Sequence, residues 1–364
     1  MPKTVTASSQ RWQFAEHIVA WQKVHGRNDL PWQNTQDPYR VWLSEIMLQQ
    51  TQVVTVMGYF DRFLQRLPNV EALAAASLDD VMGLWSGLGY YSRARNLHRC
   101  AQAVVHQWGG MFPKTALELQ QLPGIGPSTA AAISSLCFGE RVAILDANVK
   151  RVLTRVLGFD GDLALASQER HLWRAAAELL PNATNATNAT IAMPRYTQGM
   201  MDLGATLCLP KNPACPQCPV MSLCLANSQG NPQRYPVKTR KLKRSSQTVY
   251  LLWADTERGD VFLSQRPAPG VWAGLFCLPW FDSEASLVQA IPEIWRERLE
   301  PMHPFLHVLT HKDLHLHPWR LRVDVGAAFD DLSGTWVSSQ QWPDLGLPAP
   351  IRKLLVGDDG NFCS

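Results

Sequence analysis

No stretch of this 364-residue chain stays apolar long enough to span a bilayer, and its polar N-terminal residues lack the hydrophobic core of a secretory signal. These absences argue against a helical membrane protein and lead us to expect a cytoplasmic one, associated with the nucleoid if bacterial. Charge of one sign is scarce as well. Lysine and arginine total 34 against 31 acidic residues, a formal +3, which permits contact with nucleic acid without arguing for it. Facing pairs of C-x-x-C knuckles are missing. Of the eight cysteines, four crowd together at 208, 215, 218 and 224, while Cys100, Cys137, Cys277 and Cys363 are scattered. In a reducing compartment that distribution points to one metal site plus ordinary thiols, not to a disulfide framework. What the chain has is bulk: 46% hydrophobic and 18% charged residues are globular values, and the length suits two domains with a core each.

The stretch from Leu122 to Arg155 organises the rest. We read a short helix entering the turn Leu122-Pro123-Gly124-Ile125-Gly126 and a helix of small residues leaving it from Thr129. Gly124 and Gly126 permit positive φ and put no side chain in a ligand's way. The turn then aims its backbone N–H groups outward at a helix N-terminus, a seat for phosphate. Asp146 stands between the apolar run Val142–Leu145 and an amphipathic helix with Val149, Val152, Leu153 and Val156 as its buried stripe. Capping that helix is the commonest job for such an aspartate. A carboxylate following a phosphate grip is also what chemistry on a nucleotide sugar needs.

Upstream, a loose tail to about Ser9 precedes a helix over Arg11–His25, and turn residues surround Trp32. A helix from Val41 to about Phe63 would turn Leu43, Ile46, Met47, Val54 and Met57 to the core. Glu45, Gln49 and Gln52 would then share another face at i, i+4 and i+7; composition alone makes that a solvated face. In Leu84–Asn96, Tyr90 and Tyr91 beside Arg93 and Arg95 suit either base stacking with phosphate contacts or a buried tyrosine pair with surface arginines. Residues 182–190, NATNATNAT, read as a polar surface insertion. Cys208-x6-Cys215-x2-Cys218-x5-Cys224 is compact enough for a 4Fe–4S cubane, with zinc the alternative on spacing alone. Asn227–Ser246 is poor in apolar residues and carries five positive charges in the seven positions from Lys238 to Arg244, the composition of a tether. From Thr248 the pattern becomes α+β. TVYLLWA and VFLSQ read as paired strands, LFCLPW as another, Glu284–Leu299 as a helix interrupted at Pro292, then strands at Leu316–Val325 and Thr335–Ser338 and a helix at Ile351–Leu355.

The strings L-P-G-I-G-P-S-T, L-D-A-N-V-K-R-V-L and W-L-S-E-I-M-L-Q-Q-T-Q-V resemble the helix-hairpin-helix DNA glycosylases of the endonuclease III superfamily, and most closely the MutY-type adenine DNA glycosylases. The cysteine spacing and the Gln265-Arg266-Pro267 and Gly270–Leu275 pieces extend the resemblance over nearly the whole chain. It implies a multi-domain protein: an all-α helix-hairpin-helix domain over 1–226 with a 4Fe–4S loop at 208–224, a basic linker at 227–246, and an α+β MutT-like (Nudix-like) domain over 247–356 that recognises 8-oxoguanine. By the same resemblance Glu45 is the general acid, Asp146 the catalytic carboxylate and Asn148 a holder of sugar and water. Gln49 and Gln50, with Thr51 beside them, reach into the DNA stack, and Trp32, Leu48, Val53 and Gln198 surround the flipped adenine. Tyr90 wedges beside 8-oxoguanine. Gly124, Gly126 and Ser128 belong to the DNA-binding hairpin, and Cys208, Cys215, Cys218 and Cys224 hold one 4Fe–4S cluster.

The resemblance also defines an activity: excision of adenine opposite 8-oxoguanine or guanine in duplex DNA, by a monomer, in base excision repair. Endonuclease III types carry a lysine where Ser128 stands, so the hydroxyl implies a monofunctional enzyme that leaves an abasic site. There are departures. Ala147 replaces a common glycine, and Leu309-Thr310-His311 stands where the family has F-S-H, keeping the hydroxyl and losing the aromatic. The acidic R-E-x-x-E-E helix of a catalytic Nudix domain is missing, which implies binding without hydrolysis. A bifunctional lyase, a non-catalytic Fe–S DNA sensor and an Fe–S electron carrier are the competing readings.

Overall fold

Short helices joined by turns build the chain as far as the cysteine loop: α1 (Ala7–His25), α2 (Pro38–Leu48), α3 (Val53–Arg66), α4 (Val70–Ala75), α5 (Leu78–Trp85), α6 (Ser92–Trp108), α7 (Ala116–Leu119), α8 (Pro127–Phe138), α9 (Ala147–Leu157), α10 (Ala166–Glu178), α11 (Ala186–Thr206) and α12 (Leu225–Ser228). The computed structural model describes residues 7–182, 186–239 and 243–357. It divides into one unit of Met1–Phe60, Pro68–Ala74 and Arg99–Lys241 and a second of Asp61–Leu67, Ala75–His98 and Leu242–Ser364. No helix among the described residues is long and apolar enough to cross a membrane.

In the first unit α11 packs against α1, α8 and α9. Phe14, Ile18, Val149, Val152, Leu153, Met193, Tyr196 and Leu203 form the heart of its core. The stripe expected on α9 is buried as its 3.6-residue period requires. Alanines 130–132 of α8 are buried too, and their small side chains let α2 and α11 pack close against it. Gly139 (φ 68°) and Gly158 (φ 57°) end α8 and α9 in the left-handed conformation that glycine adopts without strain.

The expected continuous helix from Val41 to Phe63 is broken. Asp37 caps α2, Gln49 leaves the helical region at ψ 110°, and Gln50 takes φ 58°, so α3 starts afresh at Val53. The break removes Gln52 from the face of Glu45. It also turns Val54 (83% exposed) and Met57 (41%) to solvent instead of the core. Two further differences are local. α1 begins at Ala7, inside the expected tail, and α11 begins inside the NATNATNAT repeat; residues 183–185 lie outside the described residues.

The second unit carries a mixed sheet of β1 (Ser245–Thr256), β2 (Val261–Gln265), β3 (Phe276–Cys277), β4 (Trp280–Phe281), β5 (Leu299–Pro301), β6 (Phe305–Val308), β7 (Lys312–Val323) and β8 (Thr335–Val337), with β3-β2-β1-β7-β5 as its main order. β1 and β7 run parallel in register from Ser245↔Lys312 to Thr256↔Val323. Leu252, Leu321, Phe262 and Phe329 lie in one core with Leu287 of helix α13 (Glu284–Gln289). The interrupted helix is two separate turns, α13 and α14 (Glu293–Arg296), because Pro292 stands just before α14 begins. β5 and β6 pair antiparallel with β7, so Leu299, expected at the end of a helix, lies in a strand. α15 (Ala349–Val356) is the last helix among the described residues.

Residues 75–98 group with the second unit, where the Tyr91 hydroxyl donates to the Leu347 carbonyl (3.0 Å) and Arg352 donates to Ser86 Oγ. Residues 227–239, expected as tether, belong to the first. Buried Tyr235 anchors them there.

Candidate active site

Glu45 lies one turn before the end of α2 and is half-buried. Desolvation first, then the charge of Asp146, pushes its carboxyl up to about 7; Arg27 opposes the shift. Burial also raises Asp146. That carboxylate nevertheless has more to hold its charge: backbone N–H groups of Val149 and Asn148, then Arg151 and Lys150. Two carboxyls within electrostatic reach cannot both ionise freely, and the one with fewer cationic and N–H partners keeps the proton. Both carboxyls are raised, Glu45 up to about 7, and Asp146 has the larger set of N–H and cationic partners opposing its shift.

Asp146 also does the bland job, capping α9 with a 2.6 Å bond from Val149 N–H to Oδ1. Ser128 Oγ accepts the Leu145 N–H at 3.1 Å, tying the first turn of α8 to the residue before Asp146. The hairpin has the expected form, with one correction. Gly124 has φ 77°, but Gly126 caps α8 in extended backbone at φ −85°. A Cβ on Gly126 would meet nothing within 4 Å, so the face offered to a phosphate is open. Asn148 accepts from Arg151 Nη2 (2.8 Å), and Arg151 also reaches the carbonyls of Cys208 (2.7 Å) and Gly204 (2.6 Å).

Trp32 and Gln198 line one cavity of about 450 Å³ with Gln22, Asn28 and Arg195. Leu48 and Val53, expected beside them, are half-buried at the ends of α2 and α3 and are not in its wall. Gln49 Nε2 stands 3.5 Å from Thr129 Oγ1, Gln50 is exposed, and the Thr51 hydroxyl is 3.4 Å from the Gln49 carbonyl. Gln50 holds left-handed backbone without being glycine, strain of the kind that gathers at functional sites.

In the second unit Tyr90 (φ 49°, 42% exposed) shares a 2.7 Å hydrogen bond with Thr310 across 220 residues. Both line a cavity of about 510 Å³ with His311, His307 and Trp272. Arg93 is buried over the Trp85 and Tyr90 rings, and Arg95 Nη1 donates to the Ala273 carbonyl at 2.5 Å.

Cys208, Cys215, Cys218 and Cys224 line one small cavity of about 20 Å³ whose other walls include Val152, Val156, Leu203 and Arg155. Among the described residues no three His, Cys, Asp or Glu converge as ligands of a single ion. The four cysteines form an all-sulfur donor set, a chemistry that suits an iron–sulfur group.

Sequence reasoning missed Arg27, Asp202, Arg151 and Arg155. Asp202 is fully buried in α11 and pairs with Arg27 Nε (2.7 Å) while accepting from Gln198 (3.0 Å). An aspartate inside the apolar string MMDLG was the available signal, since buried carboxylates need partners.

Residues 43–181 match the HhH-GPD superfamily base excision DNA repair proteins, and residues 248–356 match the NUDIX domain. The chain aligns with a thermostable thymine-DNA glycosylase structure at TM-score 0.52 and 28% identity, over 60% of this chain and 97% of that one. Fold and site thus define a helix-hairpin-helix base excision repair protein with a Nudix-like α+β domain. The adenine DNA glycosylase of Buchnera aphidicola subsp. Schizaphis graminum is 34% identical over 351 residues, 94% of this chain and 97% of that protein. The Mus musculus adenine DNA glycosylase is 44% identical over 404 positions, 94% and 77% of the two chains. The chain belongs to the adenine DNA glycosylase family, as the MutY-type resemblance anticipated.

Proposed function

We propose that this enzyme removes adenine mispaired with 8-oxoguanine or guanine in duplex DNA by hydrolysing its N-glycosidic bond, without cutting the strand. The observation that carries the reading is that Glu45 feels the charge of Asp146, burial first and that charge second pushing it up to about 7. Adenine leaves badly as an anion. Glu45 protonates it, at N7, while the sugar develops oxocarbenium character; Asp146 stabilises that cation and Asn148 orients sugar and water. The adenine must first leave the stack, which costs a few kcal/mol and least at a mispair. Gln49, Gln50 and Thr51 follow Glu45 at the break between α2 and α3, where they support the opened duplex, and Trp32 and Gln198 receive the base.

Monofunctional hydrolysis is supported by the hydroxyl of Ser128 where a lyase has its amine, and by the ion pair of Lys150 with Glu169, which engages the amine nearest Asp146 in sequence. Hairpin N–H groups around Gly124 and Gly126 take a DNA phosphate. The four cysteines would hold one 4Fe–4S cluster, and their ligation would fix the loop that follows α11. One gel tests the reading: duplex carrying A opposite 8-oxoguanine, labelled on the adenine strand, run with and without hot alkali. Breaks only after alkali are expected; breaks without alkali mean a lyase, and intact strands in both lanes mean no glycosylase.

The second unit reads the base opposite the adenine through Tyr90, Thr310 and His311. Thr310→Val takes away the hydroxyl that partners Tyr90. Losing one such bond is worth about 1 kcal/mol, so excision opposite 8-oxoguanine should slow roughly fivefold while excision opposite guanine stays unchanged. Equal slowing on both duplexes would remove Thr310 from lesion reading.

A further inference from the structure

Arg155, near the end of α9, is only 2% exposed. Its guanidinium donates to the carbonyls of Leu209 (2.7 Å), Pro232 (2.8 Å) and Pro210 (3.1 Å), and to Cys208 Sγ at 3.3 Å. Every one of these oxygens is neutral. None of the ion pairs among the described residues involves Arg155. Arg151, one turn earlier, brings a second positive charge to the Cys208 carbonyl. A buried guanidinium with hydrogen bonds but no counter-charge is strongly disfavoured. The anion within reach is the set of four cysteine sulfurs, which carry negative charge once they ligate a metal group.

We infer that Arg155 is the counter-ion of the group held by the four cysteines and the latch that fastens residues 231–235 to it. The inference rests on the cluster reading above. The sulfurs balance the guanidinium on one side, and its Nε grips Pro232 on the other, at the head of the turn that leads to Tyr235, itself 3% exposed. Remove the thiolate charge and the guanidinium must turn towards water, releasing that grip. The Arg234–Tyr235 peptide bond, now shielded by the burial of Tyr235, then becomes a protease site.

The test uses the full-length protein as purified, with iron and zinc measured alongside timed trypsin digestion. Iron-loaded wild type should resist cleavage after Arg234; stripping the iron with an oxidant and chelator should speed that cut at least tenfold and leave the cut after Arg298 in the second unit unchanged. Arg155→Met should lose at least half its iron, and its remaining iron-loaded fraction should be cut after Arg234 at least tenfold faster. Arg155→Lys, keeping the charge with fewer donors, should retain iron yet be cut faster than wild type. If Arg155→Met fails to fold, the wild-type and Arg155→Lys arms still decide. Iron-loaded Arg155→Lys or Arg155→Met as resistant as wild type overturns the latch and leaves the cluster reading standing. Wild type holding neither iron nor zinc overturns the cluster reading and, with no anion to balance, the counter-ion with it.

Discussion

Glu45→Gln should cut single-turnover excision by roughly a thousandfold, within the range a positioned general acid contributes, while duplex affinity stays unchanged. Glutamine keeps the shape and cannot give up a proton. The wild-type rate should be level below pH about 7, where Glu45 holds its proton, and fall tenfold per unit above it. Stability also falls as pH rises, over a lower range. The folded carboxyl ionises later than the unfolded one, whose ordinary value is 4.5, so the unfolded chain sheds its proton first as pH rises. Stability is therefore lost between about 4.5 and about 7 and is level above. Glutamine has no proton to shed, so the variant should melt higher than wild type at pH 8, by on the order of 1–3 kcal/mol, and the same at pH 4. Rapid-quench assays and thermal melts at the two pH values measure both effects. A variant that excises at near wild-type rate removes Glu45 from the chemistry.

Asp146→Asn separates the two jobs of this side chain. Asparagine caps a helix about as well as aspartate, so Val149 keeps its partner and the melting temperature should hold. The charge facing the sugar is gone, and excision should fall by at least roughly a thousandfold. Asp146→Ala should lose the same activity and, with no cap, about 1 kcal/mol of stability as well. Asparagine that melts early while still excising adenine would make Asp146 a cap and nothing more.

How much of this was readable beforehand differs from element to element. The stripe of α9 and the cap at Asp146 are short-range features, and they appear where the 3.6-residue period and the residue types put them. The break at Gln49–Gln50 was not readable, because neither glutamine is a residue type that announces a backbone at φ 58°. The consequence was concrete: Val54 and Met57 were expected in the core and lie at the surface. Arg93 and Arg155 look like surface charges in the sequence. Aromatic rings bury the first, and carbonyls with a cysteine sulfur bury the second.

The sequence by itself determined the chemistry on offer: a glutamate and an aspartate in their motifs, a glycine turn before a helix of small residues, four cysteines within one loop, and an α+β region without an acidic metal helix. These are matters of residue type and near-neighbour spacing, which a chain carries whether folded or not. Tertiary structure alone decided that the Glu45 carboxyl is pushed up to about 7, which hydroxyl faces Tyr90, and which arginine stands against the cysteines. Desolvation and Coulomb energy depend on burial and distance through space, and neither exists until residues far apart in the chain have packed together.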